Sequence, residues 1–573
     1  MHAHQGNEAG QGQRTGPVRD REGRVLKGTW ILDNHFPRPM PPLSRDAFVQ
    51  EFPRGFRETC TKYGSPMETM DLCVVDGFVY MQVRPVGAPA EPPPFDPPQS
   101  VMKLMFYLHP ALVQRRRIAS TVFQARPWRE DFHHWNTQLK PELIGIHRAL
   151  LRVKLDELSD SALFAHVAAC NAQLRRSMYH HGRLTQTALT SLGDFIVHAQ
   201  EWTGLDDARL QRLLSGASPV SANRVPQLQV LVEALKASPG AQALLGQQEP
   251  PRDVLDALMA HPDVGREARE YLDFVGYRLL GGYDIGSPVG FEQPQLLLVG
   301  IRAALESSAR PEPGAQDGLA EVRDRVPAQH RPLFDTLLAE ARELYRLRDE
   351  RVLYGDSWSS GVLRRAVLHA GARLVQRGLL EEPHQFLEAE LDEMRALLLG
   401  EGGPSAEELA ARARNRQRLS REVPEMYGPA PKPPPPLSVI PKELQRMVAI
   451  NMVWARAYAD SQAASDRQVV RGIGVSSGRY TGTARRVDGP AELDRVRPGD
   501  VLVTYSTSSA YNVALSMVGG LVTDSGGSLS HAAIIAREFG IPGVVGTREA
   551  TVRIKDGMQV MVDGEAGEVR VLE

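Results

Sequence analysis

The sequence predicts an α+β multidomain chain, a large, mostly helical region followed by a small α/β domain, and three changes of texture predict it. Between Val101 and Leu399, stretches such as SALFAHVAACNAQLRRSMYHH carry apolar residues at spacings of three and four, as amphipathic helices do. From Gly428 to Leu444, GPAPKPPPPLSVIPKEL is dominated by proline, which stiffens a chain into an extended spacer. After Arg471 short β-branched runs alternate with glycine turns: DVLVTY, GGLVTD, GVVGT, QVMVDG and EVRVLE.

Taken in order, residues 1–26 are polar and rich in Gly and Gln, which predicts a disordered start without the apolar stretch of a signal peptide. Residues 27–427 form the helical region, entered through a small β-containing part. There Asp76 and Gly77 make a hairpin turn inside LCVVDGFVYMQV. The Pro-rich GAPAEPPPFDPPQS reads as an extended surface loop, Ser159–Asp160 as a helix start, and Pro383 as an interruption. Residues 428–470 are a Pro-rich linker and one helix, and 471–573 the α/β domain.

The chain has 573 residues, 42% hydrophobic and 24% charged, enough for two to four globular domains. Its 67 basic and 69 acidic side chains leave a net charge of −2, so no nucleic-acid partner is expected. Cys60, Cys73 and Cys170 form no CxxC pair, and no histidines fall at zinc-ligand spacing; reduced thiols and no metal site are expected. With no run of 18 apolar residues, no membrane contact is expected and the protein reads as cytoplasmic.

The chemistry concentrates in GGSLSHAAIIAREFGIPGVVGT. HAAIIAREF favours a helix that begins near His531 and ends at Gly540, before Pro542. Unpaired amides and the positive dipole end at a helix start favour an anion, and Gly526 and Gly527 allow a phosphate to approach the backbone. A neutral imidazole near pH 7 can attack phosphorus and release the group to a second acceptor. Ser530 could hold the ring or a phosphate oxygen, and Arg537 could bind phosphate or pair at the surface. On position alone, His531 fits a polar helix-start residue as well as a nucleophile.

The stretch VRGIGVSSGRYTGTARRV, the segment GDVLVTYSTSSAYNVALSMVGGLVTDSGGSLSHAAIIAREFGIPGVVGT and IKDGMQVMVDGEAGEVRVL together resemble the mobile histidine domain of phosphoenolpyruvate synthases, pyruvate phosphate dikinases and rifampin phosphotransferases. The entry KGTWILDNHFPRPMPPLS, the stretch EYLDFVGYRLLGGYDIGSPVGFEQPQLLLVGI and RRAVLHAGARLVQRGLL are similar to the helical acceptor-binding domain of the rifampin phosphotransferases. The resemblance implies a swivelling phosphohistidine domain at 471–573, with His531 as carrier, and an acceptor-binding domain at 27–427. It also implies an ATP-grasp domain to make the phosphohistidine, whose pattern is not visible here; nor is a GxxxxGK[ST] loop.

The expectation is therefore a phosphotransferase component that binds no cofactor itself. A separate ATP-grasp subunit would supply ATP and Mg2+, and the acceptor would be a small-molecule hydroxyl whose phosphorylation could also lead to dehydration. The alternatives are a binding or regulatory protein that keeps the fold without turnover, and an enzyme that uses phosphoenolpyruvate directly. On the acceptor side, Arg278 and Asp284 fit the family pattern, while Tyr277 stands where a histidine is common and Gly282 where an acid is common. Arg278 could hold transferring phosphate and Asp284 act as base, or Asp284 could cap a turn in YDIGSP. Arg348 and Arg364 are candidates for phosphate or for a solvated helix face; His35 and the pairs His133/His134 and His180/His181 read as solvated or packing residues.

Overall fold

The computed structural model describes residues 18–33, 36, 38–88, 98–218, 220, 225–281, 283–307, 318–418, 423–431, 435–457, 468–508, 511–515 and 517–572. Within them a helical body precedes a mixed sheet with helices, the α+β arrangement expected. In the body, strands β1 (Trp30–Leu32), β2 (Met67–Val75), β3 (Phe78–Pro85) and β4 (Met426–Tyr427) form one sheet in the order β2-β3-β1-β4. Asp76 and Gly77 take φ of 52° and 85° while Val75 pairs with Phe78, the two-residue turn that suits twisted strands. β4 returns from the far end of the body, pairing Tyr427 with Trp30.

The expected disorder through residue 26 is corrected over Val18–Leu26. The Leu26 N–H donates to the Val18 carbonyl at 2.8 Å and the Arg21 N–H to the Val74 carbonyl at 3.0 Å. Val18 and Leu26 pack against the cluster of Cys73, Val75, Phe78 and Tyr80, so two apolar side chains anchor a segment whose composition is polar. Residues 1–17, His35 and Gly282 lie outside the described residues.

The body is organised on one helix, Asp160–Thr203, which starts where Ser159 Oγ accepts the Ala162 N–H at 3.3 Å and ends at Gly204, φ 69°. The helix Pro42–Lys62 crosses it closely through facing glycines: a Cβ on Gly55 would meet the Tyr179 carbonyl oxygen at 2.0 Å, and one on Gly182 the Phe52 oxygen at 2.1 Å. Helices Arg331–Tyr345, Ser357–Gln376 and Lys442–Ala457 also pack on it. The last of these is not a free spacer after the prolines. Its Met447, Ile450, Val453 and Trp454 enter a core with Leu189, Leu192 and Phe195, and Arg446 grips Asp194 with two bonds of 2.6 and 2.7 Å. Between the helix Leu347–Arg351 and Ser357–Gln376, residues Val352–Asp356 form a π-helical turn, an insertion that shifts the helical phase.

The second domain is an eight-stranded sheet: β5 (Val469–Arg471), β6 (Ile473–Ser476), β7 (Arg479–Arg486), β8 (Val501–Thr504), β9 (Gly520–Thr523), β10 (Gly543–Val545), β11 (Gln559–Asp563) and β12 (Glu568–Leu572), in the order β5-β12-β11-β7-β8-β9-β10-β6. β7, β8, β9 and β10 run parallel to one another, with β11 and β6 antiparallel on either side, and the helix His531–Phe539 makes the crossover from β9 to β10. Its head therefore sits beyond the carboxyl end of β9, where α/β sheets place their ligands.

This domain is docked on the body. Leu529 and Ile534 share a core with Leu213, Leu214, Tyr345 and Leu347, and Leu296 of the body enters the sheet domain's own core. The Gly216 N–H donates to Glu538 at 3.0 Å and Ser508 Oγ to the Leu280 carbonyl at 3.0 Å. Among the described residues no helix is long and apolar enough to cross a membrane.

Candidate functional site

His531 is the first residue of its helix, with Ser530 as the cap: Ser530 Oγ accepts the Ala533 N–H at 3.3 Å. Gly526, at φ 120°, makes this possible, because a Cβ there would lie 2.7 Å from Ser530 Cβ. The Gly527 carbonyl accepts the Ser530 N–H at 3.0 Å and closes the turn. Below it, buried Asp524 accepts from Thr547 Oγ1 at 3.0 Å and from the Thr551 N–H at 3.2 Å, tying the loop after β9 to the segment after β10.

The imidazole is fixed from the other side by Thr507, whose Oγ1 lies 2.8 Å from Nδ1. The tautomer in which Nδ1–H donates to this hydroxyl leaves the Nε2 lone pair free for attack. Burial pulls the His531 pKa down to about 4; Asp349 opposes the shift and Arg348 adds to it. At neutral pH the ring is therefore uncharged, as attack on phosphorus requires.

The charged groups that act on His531 belong to the body and meet it only because the domains dock. Arg348 and Asp349 lie on the helix Leu347–Arg351, and Ser218 Oγ donates to Asp349 at 2.6 Å. Nearby, burial and then Asp349 push the Glu538 carboxyl up to about 7, against the Gly216 N–H that it accepts. Of the acceptor-side candidates, only Arg348 is brought to the histidine.

The other candidates are placed elsewhere. Arg537 is buried rather than at the surface: its Nη1 donates to the Ser528 carbonyl at 2.9 Å, and Tyr345 of the body lies beside it. It supports the loop before His531. Arg364 is buried and held by Glu292 at 2.7 and 2.8 Å and the Ile285 carbonyl at 2.6 Å, which makes it a brace and not a solvated helix residue. Asp284 accepts the Gly286 N–H at 2.7 Å and caps its own turn, with its pKa raised by burial. Arg278 is enclosed by aromatic rings of the body. Tyr277 stacks edge-on with Phe291 and, with Arg364, Arg365 and His369, lines a surface cleft of ≈ 610 Å³ away from His531.

Several residues around the site went unread in the sequence: Thr507, Asp349, Ser218 and Glu538. His181 is neither solvated nor mere packing, since its Nδ1 lies 2.5 Å from the buried Asp356 carboxylate. The one local signal was RLRDER, where Asp349 directly follows Arg348.

Comparison with known proteins covers both parts of this arrangement. Residues 496–567 match the mobile domain of PEP-utilising enzymes, and residues 184–349 the fourth domain of rifampicin phosphotransferase. His531 falls in the first segment; Arg278, Asp284, Arg348 and Asp349 fall in the second. An uncharacterised protein of Mycobacterium tuberculosis is 30% identical over 364 residues, 63% of this chain and 37% of that protein. Rifampicin phosphotransferase of Streptomyces sviceus is 28% identical over 397 residues, 65% of this chain and 42% of its own length. Phosphoenolpyruvate synthase of Pyrococcus furiosus is 46% identical over 99 residues, 17% of this chain and 12% of that enzyme. The chain thus spans less than half the length of these relatives, yet its resemblance to the PEP-utilising, rifampin phosphotransferase-like family holds in both the helical body and the histidine domain.

Proposed function

We propose that the chain is the carrier and acceptor part of a phosphotransferase, in which His531 receives a phosphoryl group and hands it to a hydroxyl of a small molecule held by the helical body. The observation that carries this reading is the neutral imidazole at a helix head, locked by Thr507 and facing Asp349 and Arg348 across the domain contact. In the first step the Nε2 lone pair forms the N–P bond while the bond from phosphorus to the donor's leaving oxygen breaks. In the second, the acceptor oxygen attacks phosphorus, the N–P bond breaks, and the hydroxyl proton passes to a base.

In this reading Asp349 takes that proton and Arg348 offsets charge on the phosphoryl oxygens, supported by the action of both on His531 and by the division of labour common in phosphoryl transfer. The donor is proposed to be a separate ATP-grasp subunit that brings ATP and Mg2+. If the new phosphate ester then leaves by elimination, the net result is dehydration of the acceptor.

The test is acid-labile phosphate on the purified chain, measured by mass spectrometry after incubation with ATP, with ATP and a candidate ATP-grasp partner, or with phosphoenolpyruvate. Label with the partner, lost in His531→Ala, is the expected result. Label from phosphoenolpyruvate alone would replace the ATP-grasp donor. A folded chain unlabelled under every donor condition, with an active partner, would overturn the carrier role.

A further inference from the structure

The body contains a group of buried hydrogen-bond donors that nothing among the described residues satisfies. Arg278 is only 4% exposed, and its Nε, Nη1 and Nη2 all lack a hydrogen-bond partner. Its guanidinium carbon lies 3.3 Å from the ring centre of Phe274, 4.6 Å from Trp358 and 5.6 Å from Tyr354. Fully buried Trp358 has an unpaired Nε1–H. Buried His147 stacks on Trp358 with ring centres 5.2 Å apart, and its Nδ1 is unpaired too. Gln173 Nε2 donates to His147 Nε2 at 3.1 Å, which leaves the ring proton on Nδ1.

Three segments remote in sequence thus bring together a guanidinium, an indole N–H and an imidazole N–H. Among the described residues no carboxylate offsets the charge: the groups acting on Arg278 are Tyr354 and Tyr271, with Arg148 adding positive charge. A buried cation without a partner is costly, and stacked rings relieve only part of that cost, because they leave the edge donors of the guanidinium unmet. A planar fork of N–H groups in a low-dielectric aromatic box is the arrangement that grips a carboxylate or phosphate through two parallel bonds. Two residues on, the Leu280 carbonyl accepts from Ser508, the neighbour of the Thr507 that holds His531. The box is therefore next in the chain to a contact with the histidine domain.

We propose that Arg278, Trp358 and His147 form an oxyanion subsite that anchors a carboxylate or phosphate group of the molecule bound in the body. The acceptor is then an anionic compound with a flat or apolar portion that lies against Phe274 and Tyr354. Assigning this anion to the phosphoryl acceptor rests on the phosphotransferase reading; the subsite itself does not.

The test is calorimetric and thermal titration of the full chain with inorganic phosphate and, separately, acetate and benzoate, at constant ionic strength set with chloride. Saturable binding that raises the melting temperature is expected for at least one of the three, and which of them binds tells phosphate from carboxylate recognition. Arg278→Met, which keeps the stacking volume, is expected to weaken that binding at least tenfold and to melt above the wild type when no anion is present. Trp358→Phe keeps the ring without its N–H and is expected to bind severalfold more weakly. Absence of saturable binding by the folded wild type, or equal binding by both variants, would overturn the subsite. Labelling of His531 in the wild-type chain is measured in parallel; its failure with every donor would refute the carrier reading while leaving the anion titration to stand by itself.

Discussion

The histidine domain and the helical body solve opposite problems. Around His531 the essential contacts are made within about twenty-five residues: Ser530 caps the helix, Gly526 admits the cap, and Thr507 holds the ring. In the body, the polar pairs that matter join segments far apart in sequence, such as His181 with Asp356, and one cluster of donors around Arg278 is left unmet. If the histidine domain is the carrier proposed above, it has to be complete on its own. A receptor that is completed by its ligand need not be, and its unmet groups say what the ligand supplies.

The sharpest way to break this contrast is His531→Asn, which keeps a polar helix start and removes the nucleophile. Phosphohistidine labelling should fall to background; label persisting on another residue would show that the domain is not a self-contained carrier. The next effect strikes the body. Gly182→Ala forces a methyl within 2.1 Å of the Phe52 carbonyl and should destabilise the body by about 3 kcal/mol, seen as an early unfolding transition while the histidine domain's own transition stays in place.

A third experiment probes the contact between the two regions. The Glu538 pKa is raised to about 7, so its favourable contribution to docking is whole below about pH 4.5 and is lost as pH rises towards 7. His531, lowered to about 4, contributes fully above about pH 6.5 and loses its share as pH falls towards 4. Between these limits the two slopes offset, and the native docked state should be nearly insensitive to pH. Glu538→Gln removes one slope, so docking should weaken on acidification from 6.5 to 4.5, with a ceiling of about 2.7 kcal/mol over two units. Small-angle scattering at a series of pH values checks this, and a flat profile for the variant would refute it. The smallest effect is expected for Thr507→Val, which frees Nδ1 and should slow charging about fivefold, equivalent to about 1 kcal/mol, without changing the melting temperature.

The same contrast explains what the sequence disclosed. The helix start at His531, the glycine lead, the Asp76–Gly77 turn and the capped start at Ser159 are local events, written in neighbouring residues. Arg364 was legible as a residue but not as a brace, because that role depends on Glu292, whereas the turn cap at Asp284 is a local event and one of the two readings that YDIGSP offers. Asp349 stood beside a candidate arginine, yet its meaning arises only when Ser218 and the docked carrier surround it. The phase shift at Val352–Asp356 has no compositional signature, so the His181–Asp356 pair could not be anticipated from two adjacent histidines.

The anchoring of the helix Lys442–Ala457 by Arg446 and Trp454 also fixes the length of a leash. From Ala457 to Gln468, where the second domain's described residues resume, eleven steps of chain can span at most about 40 Å even when drawn straight. Every place the histidine domain can visit lies inside that radius plus its own width. On the phosphotransferase reading proposed above, the donor's active centre has to come to this molecule's own flank.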